Sequence, residues 1–394
     1  MSLLALFNPE NDLALAHGGK SYTPPPLARA IAHDLSTLPS WYDAPDAAVW
    51  LPTLDFAEPL QPAFSALGIA GRPTVAGAFP HPITACSVWG WSREVAARLE
   101  RAGVPAALLP DTARLARLRE AAHRLHTRDV LLYLSEHGIT VPDELPEPLV
   151  DEAAVQRFVG QYERAVLKAP WSGSGKGLCW THGDYDLPTR RWAQGVLHRQ
   201  GKVIGEACFP KVADFAMEFR SDGQRVDFAG YSFFETDGRG AYKGNLLAAD
   251  AVIEKRLSAY VGQECLHRVR QALATCFTDR IAPLYIGNFG VDMLIYGTAH
   301  GYALHPCVEL NLRMNMGMAA RLFYDRYVAA GREGIYRVEY FADSRQLAAH
   351  HAARLAAAPL RIAGSRIESG YLSLSPVYAD THYCAFVEVS PEKL

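Results

Sequence analysis

Gly290-Val291-Asp292-Met293-Leu294-Ile295-Tyr296 and, after a short break, Val308-Glu309-Leu310-Asn311-Leu312-Arg313 decide how the chain is read. In the first segment an acid interrupts an apolar strand. In the second, side chains of a strand alternate between faces, so Glu309, Asn311 and Arg313 share one surface. A turn centred on His300-Gly301 joins the two into an antiparallel hairpin with Asp292 opposite Glu309. Two bare carboxylates facing each other repel, so the arrangement makes most sense around a divalent cation. Two carboxylates and an amide oxygen are hard donors suited to Mg2+ or Mn2+. Arg313, one step further on the same face, suits an oxygen of a phosphate or carboxylate. A solvated sheet face accounts for Glu309 and Arg313 as an exposed ion pair but leaves the apolar setting of Asp292 unexplained.

Upstream lies a second unit. Ala165-Val166-Leu167-Lys168-Ala169 reads as a strand, Pro170 to Gly177 as a Gly/Ser loop, Leu178-Cys179-Trp180 as a returning strand and Leu187 to Gln200 as a helix. Glycines in Ser172-Gly173-Ser174-Gly175-Lys176-Gly177 let backbone N–H groups approach phosphate oxygens, and a lysine neutralises them. The segment is not a Walker A loop. That pattern needs glycine where Pro170 stands and Ser or Thr where Gly177 stands, and a strand follows rather than a helix. A dinucleotide-binding G-x-G-x-x-G fails on the third glycine. What remains is a Gly-rich hairpin with a lysine on the strand before it, which a plain flexible hairpin explains equally well.

The rest of the chain frames these two units. Its 394 residues predict two or three domains at roughly 150 each. Hydrophobic residues at 49% and charged residues at 21% exclude disordered, collagenous and coiled-coil classes. With 39 basic against 42 acidic side chains the formal charge is −3, which argues against holding polymeric nucleic acid by bulk electrostatics. Apolar runs fall short of the roughly 18 residues of a spanning helix, and the start, Met1 to Phe7, lacks the basic region of a signal peptide. Seven cysteines without zinc or disulfide spacing fit a reducing compartment, so a cytoplasmic protein with small-molecule partners and no membrane is expected. Before the Pro-rich stretch 142–148, short apolar runs at 3–7 and 47–51 alternate with helical patterns at 95–102 and 112–122, as in βα units over a parallel sheet. After residue 203 the pattern is largely β, with one long helix expected from about Ile253 to Phe277.

A lysine-bearing strand with a Gly-rich hairpin, then a strand ending in Glu, then Asp…Glu-x-Asn-x-Arg resembles the ATP-grasp superfamily over roughly residues 127–317. The resemblance implies an α/β and α+β architecture: an N-terminal α/β pre-ATP-grasp domain over 1–125, a small subdomain over 126–205 and a large one over 206–394. It implies ATP and Mg2+ (or Mn2+) as cofactors. Lys168 would meet the phosphates, with Ser172, Gly173, Ser174, Gly175, Lys176 and Gly177 closing over them. Glu206 matches the hinge acid near adenine, and Asp214 the ribose-binding acid, with Glu218 the fallback. Asp292, Glu309 and Asn311 match the metal ligands, and Arg313 the arginine that steadies the transferred phosphoryl group.

Three features lie outside that pattern, and the first of them, Asn8 to Asp12, also looks like the start of bacterial ATP-grasp proteins. Asn8-Pro9-Glu10-Asn11-Asp12 follows the first strand, where open α/β sheets bind ligands, although Asn11 or Asp12 capping a helix explains it as well. Lys243, in the loop from Glu235 to Asn245, is a candidate catalytic cation for a substrate carboxylate, and solvated loop charge is the other reading. His123 and His126 suit one helical face but lack further ligands. The expected activity is an ATP-dependent ligase joining a small carboxylate to an amine through an acyl phosphate, with a homodimer as a candidate assembly. A kinase of a small hydroxylated metabolite and a catalytically silent nucleotide-binding module are the alternatives.

Overall fold

A computed structural model describes residues 2–79, 82–173, 177–237, 240 and 242–392. The N-terminal strands β1 (Ser2–Leu6), β2 (Ala48–Trp50), β3 (Arg72–Thr74) and β4 (Ile83–Val88) form a wholly parallel sheet in the order β3-β2-β1-β4. The short apolar runs of β1 and β2, the central strands, suit coverage on both faces. The helices that follow β4 start where a polar side chain meets a free N–H. Ser92 accepts from Val95 N and Asp111 from Arg114 N, at the heads of helices Arg93–Arg101 and Thr112–Ala121.

A second, antiparallel sheet follows, built from β5 (Glu147–Leu149), β6 (Ala165–Lys168), β7 (Leu178–Thr181) and β8 (Val203–Ala207) in the order β5-β8-β6-β7. Among the described residues the large third sheet has nine strands: β9 (Lys211–Ser221), β10 (Val226–Thr236), β11 (Tyr242–Leu247), β12 (Gly287–Thr298), β13 (Gly301–Asn311), β14 (Gly334–Tyr340), β15 (Arg361–Ala363), β16 (Arg366–Ser373) and β17 (Tyr383–Val389). Their order is β13-β12-β9-β10-β11-β14-β17-β16-β15. The single helix expected near 253–277 is two, Asp250–Val261 and Gln263–Arg280. Gly262 between them has φ +76, a left-handed conformation that apolar periodicity does not reveal.

The parallel sheet does not stand apart. Helix Met316–Tyr327 buries Met318, Phe323 and Tyr327 in the same core as Phe7, Trp41 and Trp89. Trp41 Nε1 and Thr37 Oγ1 both donate to Leu374 O, at 2.7 and 2.9 Å. Met314 N donates to Trp89 O at 2.8 Å, so the chain just after Arg313 is fastened to the loop after β4. The C-terminal end of β1, with Asn8 to Asp12, is thereby brought onto the rim of the large sheet. Among the described residues no helix is long and apolar enough to cross a membrane, and all seven cysteines are free.

Candidate active site

A cleft of about 950 Å3 opens between the second and third sheets and reaches the N-terminal domain at Pro9, Ile31 and Trp89. Its floor is the β12–β13 hairpin. Thr298 pairs with Gly301, so the turn lies one residue earlier than the sequence suggests. An irregularity between Asp292 and Leu294 restores the register, and Asp292 does stand opposite Glu309, with Gly290 opposite Asn311. The repulsion expected of that pair is relieved from two sides. Arg124 donates to Glu309 Oε1 through Nη2 at 2.9 Å and Nε at 3.2 Å, and Asn311 Nδ2 donates to Asp292 Oδ2 at 2.9 Å. Burial raises the Glu309 carboxyl, but Arg124 and Lys168 outweigh it and hold it below its ordinary value. Burial, then the charge of Glu309, pushes Asp292 up to about 7. The pair therefore favours a proton on Asp292 over one on Glu309, and has room for more positive charge.

Arg313 faces the N-terminal domain. It grips Asp12 with Nε at 2.9 and 3.0 Å from the two carboxylate oxygens and Nη2 at 2.8 Å, while Nη2 also donates to Asn311 Oδ1 at 3.1 Å. Helix Asn11–His17 has Glu10 at its N-cap and no capping side chain, so the capping explanation of Asn11 and Asp12 fails. Asn8 instead bonds Gly90, through Nδ2 to its carbonyl at 2.8 Å, and Asp12 serves the arginine.

The Gly-rich hairpin meets the same cluster. Arg124 donates to Ala169 O, Ser172 Oγ and Ser172 O at 3.1, 2.5 and 3.0 Å. A Cβ on Gly173 would lie 2.3 Å from Asp12 Oδ2, so only glycine fits there. Gly177 O accepts from Ala169 N at 2.8 Å and closes the base of the hairpin. Ser172, Gly173 and Gly177 thus sit behind the cleft floor rather than among its lining, with Ser172 occupied by Arg124. Ser174, Gly175 and Lys176 lie outside the described residues. Arg124 and Asp12 hold this assembly together. No local signal marks Arg124 in the sequence, whereas the position of Asp12 after the first strand is a usable clue.

Toward the other end, Lys168 on β6 and Glu206 on β8 are both buried and pair at 2.5 Å. Asp214 on β9 accepts from Lys211 Nζ at 2.6 Å and from Thr236 Oγ1 at 2.8 Å. Val166, Leu178, Phe209 and Leu294 give this end an apolar lining beside His305, which burial and Lys168 keep neutral by lowering its pKa to about 3. Glu218, further along the same face of β9, is 1% exposed and pushed up to about 8 by burial. Its Oε2 accepts from Asn315 Nδ2 at 2.8 Å.

Lys243, expected at the site, does not join it, and the His123/His126 pair stays outside it as its lack of further ligands suggests. Lys243 on β11 is exposed and absent from the cleft lining, because its strand turns Tyr242 inward instead. His123 is buried edge-on against Trp171 at 4.6 Å while His126 pairs with Asp129 at 3.0 Å, so they share no ligand. Among the described residues no three His, Cys, Asp or Glu side chains are grouped to hold a metal. Asp292, Glu309 and Asn311 offer two carboxylates and one amide, a partial shell of the kind that suits Mg2+ completed by phosphate oxygens and water.

The layout is that of the ATP-grasp fold, with a small antiparallel sheet facing a larger one across a cleft. Solved structures with this fold cover nearly the whole chain. The ADP complex of purK, N5-carboxyaminoimidazole ribonucleotide synthetase, matches at TM-score 0.51 with 12% identity, covering 99% of this chain and 92% of that one. The same synthetase from Thermus thermophilus matches at 0.50 with 12% identity over 100% and 94%. Biotin carboxylase from Campylobacter jejuni, as its β,γ-ATP complex, matches at 0.50 with 12% identity over 100% and 88%. No protein-family model and no curated protein sequence matches the chain.

Proposed function

We propose that the chain is an ATP-dependent carboxylate–amine ligase that passes through an acyl phosphate. The observation that carries this reading is the Asp292–Glu309 pair, set in one cleft with Lys168, Arg124 and Arg313 and short of positive charge at Asp292. The shared fold with a synthetase and a carboxylase whose complexes hold ADP or an ATP analogue supports it.

In this account the apolar end near Val166, Leu178 and Leu294 takes the adenine, with Glu206 beside it and Asp214 at the ribose. Lys168 neutralises phosphate charge. Asp292, Glu309 and Asn311 would hold Mg2+, which when bound supplies charge neutralisation at the terminal phosphates. Asp12 holds Arg313 at the edge of the carboxylate cluster, where its guanidinium orients the transferred phosphoryl group. A substrate carboxylate oxygen attacks the γ-phosphorus, ADP leaves, and an amine then displaces phosphate from the acyl carbon, releasing its proton. Residues 1–125, 126–205 and 206–394 would be the three working parts, the first shaping the acceptor end.

Incubation with Mg-ATP, a pool of the common amino acids and small dicarboxylates, and hydroxylamine tests this. Hydroxamate formation that requires a carboxylate is expected. ADP release with a phosphorylated hydroxyl and no hydroxamate would instead make the chain a kinase.

A further inference from the structure

The carboxylates of the cleft divide by what faces them. Asp12 faces Arg313, Glu309 faces Arg124, Glu206 faces Lys168 and Asp214 faces Lys211. Among the described residues Asp292 and Glu218 form no ion pair, and each accepts one amide hydrogen, from Asn311 and Asn315. The metal reading accounts for Asp292. It does not account for Glu218, which lies beside Gly290 and the start of helix Met316–Tyr327.

The surroundings of Glu218 are shaped to keep its carboxylate in place and one oxygen open. A Cβ on Gly290 would lie 2.5 Å from Oε2, and one on Gly317 would lie 2.4 Å from Oε1, so both glycines leave room for the acid. Asn315 caps the helix, its Oδ1 accepting from Met318 N at 2.8 Å, while its Nδ2 fixes Oε2. Oε1 has no hydrogen-bond partner among the described residues, although the side chain is 1% exposed and lines the cleft. A polar chain points to the same spot. Tyr242 OH bonds Asn245 Oδ1, Asn245 Nδ2 donates to Ser232 Oγ at 2.6 Å, and Ser232 Oγ would lie 2.3 Å from the same Gly317 Cβ. The adjacent cation, Arg313, is committed to Asp12, Asn311 and Met314 O. A buried acid with one free oxygen and no counter-charge is costly unless a ligand supplies the charge.

We propose that Glu218 is the anchor for the amino group of the acceptor: its free Oε1 receives an N–H of a primary ammonium, with the Ser232 hydroxyl beside it. The inference rests on the ligase reading and names the acceptor's chemical class. It is a primary amine whose remaining atoms lie against Met316 and the N-terminal residues Pro9, Ile31 and Trp89, which line the same cleft.

Glu218→Gln keeps the size and an oxygen for Asn315, and puts an NH2 donor in place of the free Oε1, removing both the charge and the acceptor atom. Hydroxylamine is largely uncharged at neutral pH and needs no anionic anchor, so it reports the first half-reaction alone. With the pool of amino acids and dicarboxylates, E218Q is expected to form hydroxamate at the wild-type rate. The KM for the amine that wild type couples is expected to rise about tenfold or more, with Glu218→Asp recovering part of the loss. An unchanged amine KM overturns the inference while leaving the ligase intact. Equal loss of hydroxamate and amide in a folded E218Q, by melting curve, also overturns it and moves Glu218 into the metal site. A wild type that forms no hydroxamate fails the ligase reading, and the inference falls with it.

Discussion

At one end of the cleft Glu206 meets Lys168 at 2.5 Å and Asp214 meets Lys211 at 2.6 Å, whereas in its middle Asp292 and Glu218 have, among the described residues, only the amides of Asn311 and Asn315. The paired acids are neutralised by the protein itself, Glu206 by a lysine on the neighbouring strand β6 and Asp214 by one three residues earlier on β9. The unpaired ones are raised, Asp292 to about 7 and Glu218 to about 8, because burial disfavours their charged forms. The difference separates acids that position the site from acids that await a cation from outside. It also turns a familiar stability argument around, since only the first kind stabilises the empty protein.

The largest effect expected on that comparison is at the paired end. Lys168→Ala leaves Glu206 buried with no counter-charge, and removing one member of a buried pair costs about 3–5 kcal/mol. Denaturant unfolding checks this, and adding Glu206→Gln should recover most of the loss. A cost below about 1 kcal/mol would make the pair an ordinary solvated one and blur the distinction.

Next comes Glu309→Gln. Turnover is expected to fall about 100-fold or more, as when a preorganised charge at the reacting phosphate is removed. Facing carboxylates considered alone suggest that the empty mutant gains stability. The structure reverses the sign, because Arg124, 6% exposed, loses its anion, and a loss of about 1–2 kcal/mol is expected in the absence of nucleotide. A raised melting temperature for empty E309Q would show that repulsion from Asp292 prevails over the Arg124 pair.

A smaller effect belongs to Asp12→Asn, which keeps the shape beside Gly173 but weakens the grip on Arg313. About a tenfold drop in kcat is expected, with the KM for ATP little changed, since Asp12 acts through the arginine. Steady-state kinetics separate the two parameters. A mutant with wild-type kcat would detach the N-terminal motif from catalysis.

How much of this is legible in the sequence follows from how local each signal is. The Asp292–Glu309 opposition comes from period-two alternation, and it survives an error in the turn because the irregularity near Met293 compensates for it. The parallel N-terminal sheet and the lysine hairpin β6–β7 are likewise readable from short apolar runs and turn residues. Arg124 is not, because its role depends on a contact with Glu309 across 185 positions and nothing in His123-Arg124-Leu125 points inward. Asp12 reads as chemistry or as a cap, and only the packing of helix Met316–Tyr327 beneath the parallel sheet decides between them. Lys243 rests on loop composition alone, which does not tell which residue of a strand faces a cleft. Glu218 stands in the sequence as a fallback for the ribose acid, and its burial beside two glycines is a fact of the third dimension.

Proton release on nucleotide binding tests the central claim, that the unpaired acid Asp292 awaits a cation, most directly. Asp292 is raised from 3.8 to about 7, so the empty folded protein holds a proton that the unfolded chain has lost. Its contribution therefore weakens folding progressively as pH rises from about 4 to about 7. A bound divalent cation reverses that preference and expels the proton. Isothermal titration of Mg2+ with a nonhydrolysable ATP analogue at about pH 6, in buffers of differing ionisation enthalpy, counts the protons released. Wild type is expected to release about one proton more than Asp292→Asn, with E218Q behaving like wild type. Equal release from wild type and D292N would contradict the account and leave Asp292 a half-buried acid with no part in holding the metal.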